Sequence, residues 1–360
     1  MAAISSPILI TENSRLWSRR LLTSHASTRI SNNGVAAVVP SVFRRGSSSI
    51  NAKGMQREEG ERRFPRQKQD GQPGKEYLMD PLPIFSDPHY QPTNKLKGKV
   101  ALVTGGDSGI GRSVCYFYAK EGATVAFTYV KGVEDIDAKN TLKIINDAKV
   151  RDAGAPIAIP ADLRYDKNCK KVVDEVVAKY GRIDILVNNV AIQYNTYTLD
   201  DVTEERLERV FRTNIFSYFF VTRHAVKHMK AESSIINTTS VLGFSGRAKY
   251  IDYASTKGAI VNFTKSLAIL LVDKGIRVNG VAPGPIWTPL EAAALDDEDI
   301  ATFGAQVPLN RAGQPFEVGK TYVFLASKDA SYYTGTFLIP DGGELDRAGP
   351  IVNNINTANP

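Results

Sequence analysis

The chain is predicted to fold as a single doubly wound α/β domain, a seven-stranded parallel sheet with helices on both faces. Two observations carry this. From Lys99 onward, short runs that are almost wholly apolar alternate strictly with longer stretches of helical period. Strands covered on both faces read as apolar runs rather than as alternation. Parallel neighbours then need right-handed crossovers, which the intervening helices supply.

In order, strands are predicted at 99–104, 124–129, 157–160, 183–187, 234–238, 277–282 and 336–339. Helices are predicted at 110–122, 137–153, 167–180, 203–230, 253–273 and 315–327. Gly122, Gly154, Gly181 and Gly275 stand where helix C-caps belong. The folded domain is read as 96–343, followed by a tail, 344–360.

Upstream, residues 58–95 are polar and carry Pro65, Pro73, Pro81, Pro83, Pro88 and Pro92. They read as an extended arm without regular structure, lying over the domain or over a partner subunit. Residues 1–57 hold seven Arg, Lys53 and one acid, Glu12, which accounts for the formal charge of +7 and leaves 37 basic and 37 acidic side chains downstream. This Ser- and Arg-rich leader reads as an organelle transit peptide. Small residues after Met1 and the abundance of Ser favour chloroplast over mitochondrion. A start at Met55 would instead give a cytosolic form.

A neutral domain offers no basic stripe for nucleic acid. No apolar run approaches the roughly 20 residues that span a bilayer. Cys115 and Cys169 lack ligand-like spacing, so neither a disulfide framework nor a zinc site is expected.

The loop between the first strand and first helix reads Thr104-Gly105-Gly106-Asp107-Ser108-Gly109-Ile110-Gly111. A helix start presents free N–H groups and a positive dipole end, and glycines let a pyrophosphate approach the backbone. The domain is therefore Rossmann-type and expected to bind a dinucleotide. NAD-preferring sites carry an acid at the tip of the second strand, for the ribose diol. Here Tyr129-Val130-Lys131 has none, and Lys131 is suited to a 2′-phosphate, which favours NADP(H) over NAD(H).

Tyr253 and Lys257 are four apart on a predicted helix and share a face. A free phenol, with a pKa near 10, is a poor proton donor, and an adjacent ammonium is expected to lower that value. The same Lys can hydrogen-bond the nicotinamide ribose. Ser240, at a strand end, can hydrogen-bond a developing oxyanion. The expected chemistry is hydride transfer to a carbonyl carbon, with Tyr253 donating the proton. Tyr116 and Lys120 repeat the spacing in the helix after the glycine loop, where a packing role is expected.

These residues resemble the short-chain dehydrogenase/reductase superfamily over residues 96–343. Thr104–Gly111, Asn188-Asn189-Val190-Ala191, Asn214, Ser240, Tyr253/Lys257, the Pro283-Gly284-Pro285-Ile286-Trp287-Thr288 run and Asp341-Gly342-Gly343 carry the resemblance. Gln72-Pro73-Gly74 and residues 279–289 are similar to a plant group described as glucose and ribitol dehydrogenase homologues, or chloroplast NADPH-dependent aldehyde reductases. The resemblance implies that Asn214 completes a catalytic tetrad by holding a water in a relay with Lys257. It implies that Asp162 and Leu163 lie against the adenine, and that Asn188 and Ala191 line the cofactor. It also implies that Ile286 and Thr288, after the Pro283-Gly284 turn, hold the carboxamide. The family's Asn-Asn-Ala-Gly is Asn-Asn-Val-Ala here, extra bulk that is expected to be tolerated.

His224 and His228 imitate a metal pair, but no third ligand follows, and no metal is expected. Asp296-Asp297-Glu298-Asp299 reads as a solvated helix start. Trp287, Leu290, Gln193, Tyr194, Leu242, Phe244 and Tyr250 are candidate pocket walls or core. The helices at 203–230 and 253–273 are expected to build a homo-oligomer, a dimer or tetramer. The leading reading is an NADP(H)-dependent reductase of a small aldehyde or sugar-like carbonyl. A 3-oxoacyl-thioester reductase and a non-catalytic nucleotide sensor are the alternatives.

Overall fold

A computed structural model describes residues 64–345. The leader (1–57) and almost all of the tail lie outside the described residues. The sheet has seven parallel strands in the order β3-β2-β1-β4-β5-β6-β7. They are β1 (Val100–Val103), β2 (Thr124–Tyr129), β3 (Ile157–Pro160), β4 (Ile185–Asn188), β5 (Ser234–Thr238), β6 (Arg277–Val281) and β7 (Phe337–Leu338). β1, β4 and β5 are buried along their whole length, which explains their continuous apolar runs. Strand order reverses between β1 and β4, and the crevice at that switch point is where an open α/β sheet binds its ligand.

On one face lie α1 (Gly109–Lys120), α2 (Asp135–Ala148) and α9 (Pro315–Ala326), in a core with Phe117, Tyr118, Phe127 and Tyr322. The other face carries α3 (Asp166–Tyr180), α4 (Glu204–Phe211), α5 (Ser217–Ala225) and α6 (Ile251–Leu271), around Val173, Tyr218, Ile260 and Leu267. Two short helices follow β6: α7 (Pro289–Ala294), which has no counterpart among the predicted elements, and α8 (Asp297–Ala301), which begins at the expected helix start. No described helix is long and apolar enough to cross a membrane.

Three local expectations need correction. The helix expected over 203–230 is broken by a π-helical turn, Arg212–Phe216, and ends in a 3-10 turn. Hydrophobic period alone does not register one extra residue in a turn. Gly154 is no helix cap: α2 stops when Lys149 turns extended, and the Gly154 N–H donates to Thr124 Oγ1 instead. The last strand shrinks to two residues.

The arm, over its described residues 64–95, has one 3-10 turn, Glu76–Leu78, and packs against its own chain. Phe64 stacks on Trp287 with ring centres 4.0 Å apart, and Trp287 Nε1 donates to the Pro81 carbonyl at 2.8 Å. With Met79, Leu295, Ile300 and Phe303 they form a third core beneath α7 and α8. Trp287 is thus fully buried core rather than pocket wall.

Candidate active site

β1 delivers Thr104 to the crevice, and the loop then doubles back to start α1. A Cβ on Gly111 would lie 1.9 Å from the Gly105 carbonyl oxygen, so α1 can pack this close to its own loop only with glycine there. Gly111 therefore serves packing and does not line the cavity, which corrects its expected contact role. Asn189 Nδ2 donates to the Gly105 carbonyl at 3.1 Å and ties the loop to β4. Gly105, Asp107, Ser108, Gly109 and Ile110 line a cavity of about 870 Å³ that runs on to Ser240, Tyr253 and Lys257.

One N–H of this helix start is already taken. Glu76, from the arm, accepts from the Gly109 N–H at 2.5 Å and pairs with Arg112, which also reaches Asp137 at 3.1 Å. All three are buried. Burial raises the carboxyls of Glu76 and Asp137, while Arg112 pulls both down. Gln72, Pro73 and Gly74 line the same cavity, so the arm is part of its wall.

At the second strand's end, Tyr129 lines the cavity, but Lys131 is exposed and outside it. Its place is taken by an acid that strand-tip reading missed. Glu134, five residues past β2, lines the cavity and accepts from the Val130 N–H at 2.6 Å. Burial and the neighbouring Asp107 push its carboxyl up to about 9, and burial pushes Asp107 up to about 7. Asp107 Oδ2 is buried without a partner. Asp162 and Leu163 line this end too, with Asp162 paired to Arg164 at 2.7 Å.

The chemical groups meet at the other end. Ser240 accepts from the Leu242 N–H at 3.2 Å, and a Ser240–Tyr253 hydrogen bond draws the Tyr253 phenol down. Burial outweighs it and raises the phenol above its ordinary value. The expected lowering by Lys257 is therefore not observed. Burial likewise pushes the Lys257 ammonium down to about 7, because desolvation disfavours either charge. Lys257 Nζ donates to the Thr238 carbonyl at 3.1 Å and lies 5.2 Å from the Tyr253 ring centre. Thr239 Oγ1 donates to the Lys257 carbonyl at 2.7 Å, clamping the serine loop to α6.

Asn214 lies in the π turn, fully buried and outside the cavity wall. Its side chain accepts from the Ile192 N–H at 2.8 Å and donates to the Ile192 carbonyl and to Thr256 Oγ1. These bonds pin the loop after β4 to the π turn and fix the place of Asn214. Asn188, also expected at the cofactor, points into the core, donating to Thr222 and Asn237. Asn189, Val190 and Ala191 line the cavity in its stead.

Pro283, Gly284, Ile286 and Thr288 form the wall over the glycine loop, with Gln193, Leu242, Tyr250, Leu290 and Glu291 further in. Tyr194 and Phe244, candidate walls from sequence, are not among the lining residues. Tyr116 packs on Phe85 and Phe117 beneath the Lys120 ammonium and stays clear of the cavity. His224 pairs with Asp166 at 2.8 Å. Asp296 stands at the N-cap of α8, the expected helix start, and also accepts from Asn195 at 3.2 Å and binds Tyr197.

The cradle fits a dinucleotide. Gly105 and Gly109 leave the backbone bare at those two positions, a helix starts at the loop's end, and a Cβ on Gly109 would come within 3.1 Å of Thr288. Comparisons with known proteins agree. A family model described as "Enoyl-(Acyl carrier protein) reductase" matches residues 105–344. The chain is 64% identical over 282 residues to "Glucose and ribitol dehydrogenase" of Daucus carota, covering 78% of this chain and 97% of that one. It is 62% identical over 284 residues to "NADPH-dependent aldehyde reductase 1, chloroplastic" of Arabidopsis thaliana, covering 79% and 99%. A short-chain dehydrogenase from Burkholderia cenocepacia, solved with NADP, is 30% identical with a TM-score of 0.64, covering 69% of this chain and 98% of that one. Strand order, glycine loop, Ser–Tyr–Lys geometry and these matches converge: the chain belongs to the short-chain dehydrogenase/reductase family.

Proposed function

We propose that the protein reduces a small aldehyde or sugar-like carbonyl with NADPH, and that Tyr253 is the proton donor. The observation that carries this is one cavity joining a dinucleotide cradle to a buried Tyr253, hydrogen-bonded to Ser240 and backed by Lys257. Relatives named for NADPH-dependent aldehyde reduction and for glucose and ribitol dehydrogenation support the substrate class.

NADPH, when bound, supplies the hydride to the carbonyl carbon. Ser240 holds the carbonyl oxygen as charge develops on it. Tyr253, kept protonated at neutral pH by its burial, gives its proton to that oxygen, and an alcohol leaves. Lys257, poised near neutrality, favours the phenolate left behind. Asp162 and Leu163 hold the adenine end. Arg164 and Arg209 line the cavity beside Asp162 and Lys131 does not, so a lining arginine rather than Lys131 takes the 2′-phosphate role.

The test is steady-state oxidation of NADPH, and separately NADH, against short aldehydes, an unsaturated aldehyde, glucose and a 3-oxoacyl thioester. Turnover of aldehydes or sugars with NADPH is expected. Turnover of the thioester alone would move the protein to lipid synthesis, and tight NADPH binding without turnover would make it a sensor. Val190 packs beside Gly105, 3.3 Å from where a Cβ would stand, and its bulk is tolerated in this reading. Val190→Ala should therefore leave the NADPH Kd, measured by fluorescence titration, within about threefold. Clearly weaker binding would count against that account.

Two further proposals concern the whole chain. The leader's composition and a chloroplastic relative support delivery to the chloroplast, checked by imaging residues 1–57 fused to a fluorescent protein. Exposed Phe216 and Phe219, with Ile269 and Leu270 at the end of α6, support a homo-oligomer.

A further inference from the structure

The cavity holds a carboxylate that hydride transfer does not use. Glu291, on α7, lines the wall near Tyr253, and its negative charge raises the phenols of both Tyr253 and Tyr250. Among the described residues its carboxylate takes one side-chain hydrogen bond, a long 3.4 Å contact from the buried Gln193 Nε2. Among the described residues no cation is paired with it. Burial pushes its carboxyl up to about 7, and the charge that acts on it is another acid, Glu344. Arg247, another lining residue, is already paired with Glu344 at 2.6 Å.

This wall therefore presents, close to the reacting phenol, an acceptor short of donors. Buried polar groups ordinarily find partners, so such an acceptor is met by water or by a donor on a ligand. An apolar aldehyde has no donor to offer it. A hydroxyl has one, and so matches it. We propose that Glu291, held by Gln193, reads a hydroxyl group of the substrate and makes hydroxylated carbonyls, aldoses and short hydroxyaldehydes, the preferred substrate class. This rests on the reductase reading and deepens it.

The test uses the full-chain enzyme with NADPH and a pair of substrates matched in length, glyceraldehyde and propanal. Glu291→Leu should lower the ratio of kcat/KM for glyceraldehyde to that for propanal about 10- to 100-fold, chiefly through the KM for glyceraldehyde, because only the hydroxylated substrate loses a bond while any change at Tyr253 falls on both. Glu291→Gln keeps an acceptor oxygen and should lose less than the Leu variant. An equal fall for both substrates would overturn the proposal, because Glu291 would then act through Tyr253 or the packing of α7. No fall for either would overturn it too. A wild-type enzyme that turns over neither substrate overturns the reductase reading itself, and does so before any variant is compared.

Discussion

Tyr253→Phe is expected to lower kcat for carbonyl reduction by about 10²–10⁴-fold, the usual contribution of a positioned general acid. The phenol is the acidic group that meets Ser240 at the cavity wall, and removing its oxygen leaves the developing alkoxide without a proton. The ring is 7% exposed and packed in α6, so Phe preserves the buried surface and the fold. Cofactor affinity should therefore hold within about threefold, since the lost bond is made to the substrate oxygen. Single-turnover reduction and a parallel NADPH titration check both halves. Activity within about tenfold of wild type would remove Tyr253 from its role.

Arg112→Met should produce the largest loss of stability. Arg112 is the cation among Glu76, Asp137 and Asp107, and it also donates through Nε to the Asp107 carbonyl at 2.9 Å and Thr141 Oγ1 at 2.7 Å. Breaking a buried pair by removing one partner costs about 3–5 kcal/mol. In a domain of this size that corresponds to roughly 10 °C in Tm. The pH dependence is the sharper test. Arg112 pulls all three carboxyls down against the upward pull of burial, so its removal lifts their folded-state pKa values further above the unfolded ones. Groups with raised pKa values stabilise the fold below the unfolded value, near 4, and that stability is lost as pH rises through the folded value. The Tm deficit of the variant should thus grow from pH 5 to pH 8 in calorimetric scans. A constant or shrinking deficit would show that the carboxyls are not held by Arg112. Because Glu76 anchors the arm, proteolytic nicking within 64–95 should accelerate in the variant.

Much of this molecule is written in local pattern. The apolar runs of β1, β4 and β5 are visible because both faces of the sheet are covered, which leaves no polar alternation to confuse them. The glycine loop is legible because it sits between a strand and a helix, and Tyr253 and Lys257 because four residues make one helical turn. Errors gather where a role depends on a neighbour distant in sequence. Lys131 was the expected charge at the second strand's tip, yet Glu134 turns back to cap Val130 and enters the cavity. Asn188 and Asn189 are adjacent, and only strand pleating sends the first into the core and the second to the crevice. Asn214 is visible as a residue, but not the π turn that commits its side chain to Ile192.

The arm shows the division most plainly. Its prolines and polar composition determined, from sequence alone, that it would lack regular structure. Nothing in them announced that Glu76 would reach the start of α1, that Phe64 would stack on Trp287, or that Gln72–Gly74 would wall the cavity. Sequence by itself determined the sheet, the crossovers, the cradle and the shared face of Tyr253 and Lys257, because each rests on a period or on a contact within a few residues. Tertiary structure alone decided which way the pKa values of Tyr253, Lys257 and Glu291 move, and the shape of the substrate end. Those follow from desolvation and from pairings such as Gln193 with Glu291, made between segments about a hundred residues apart.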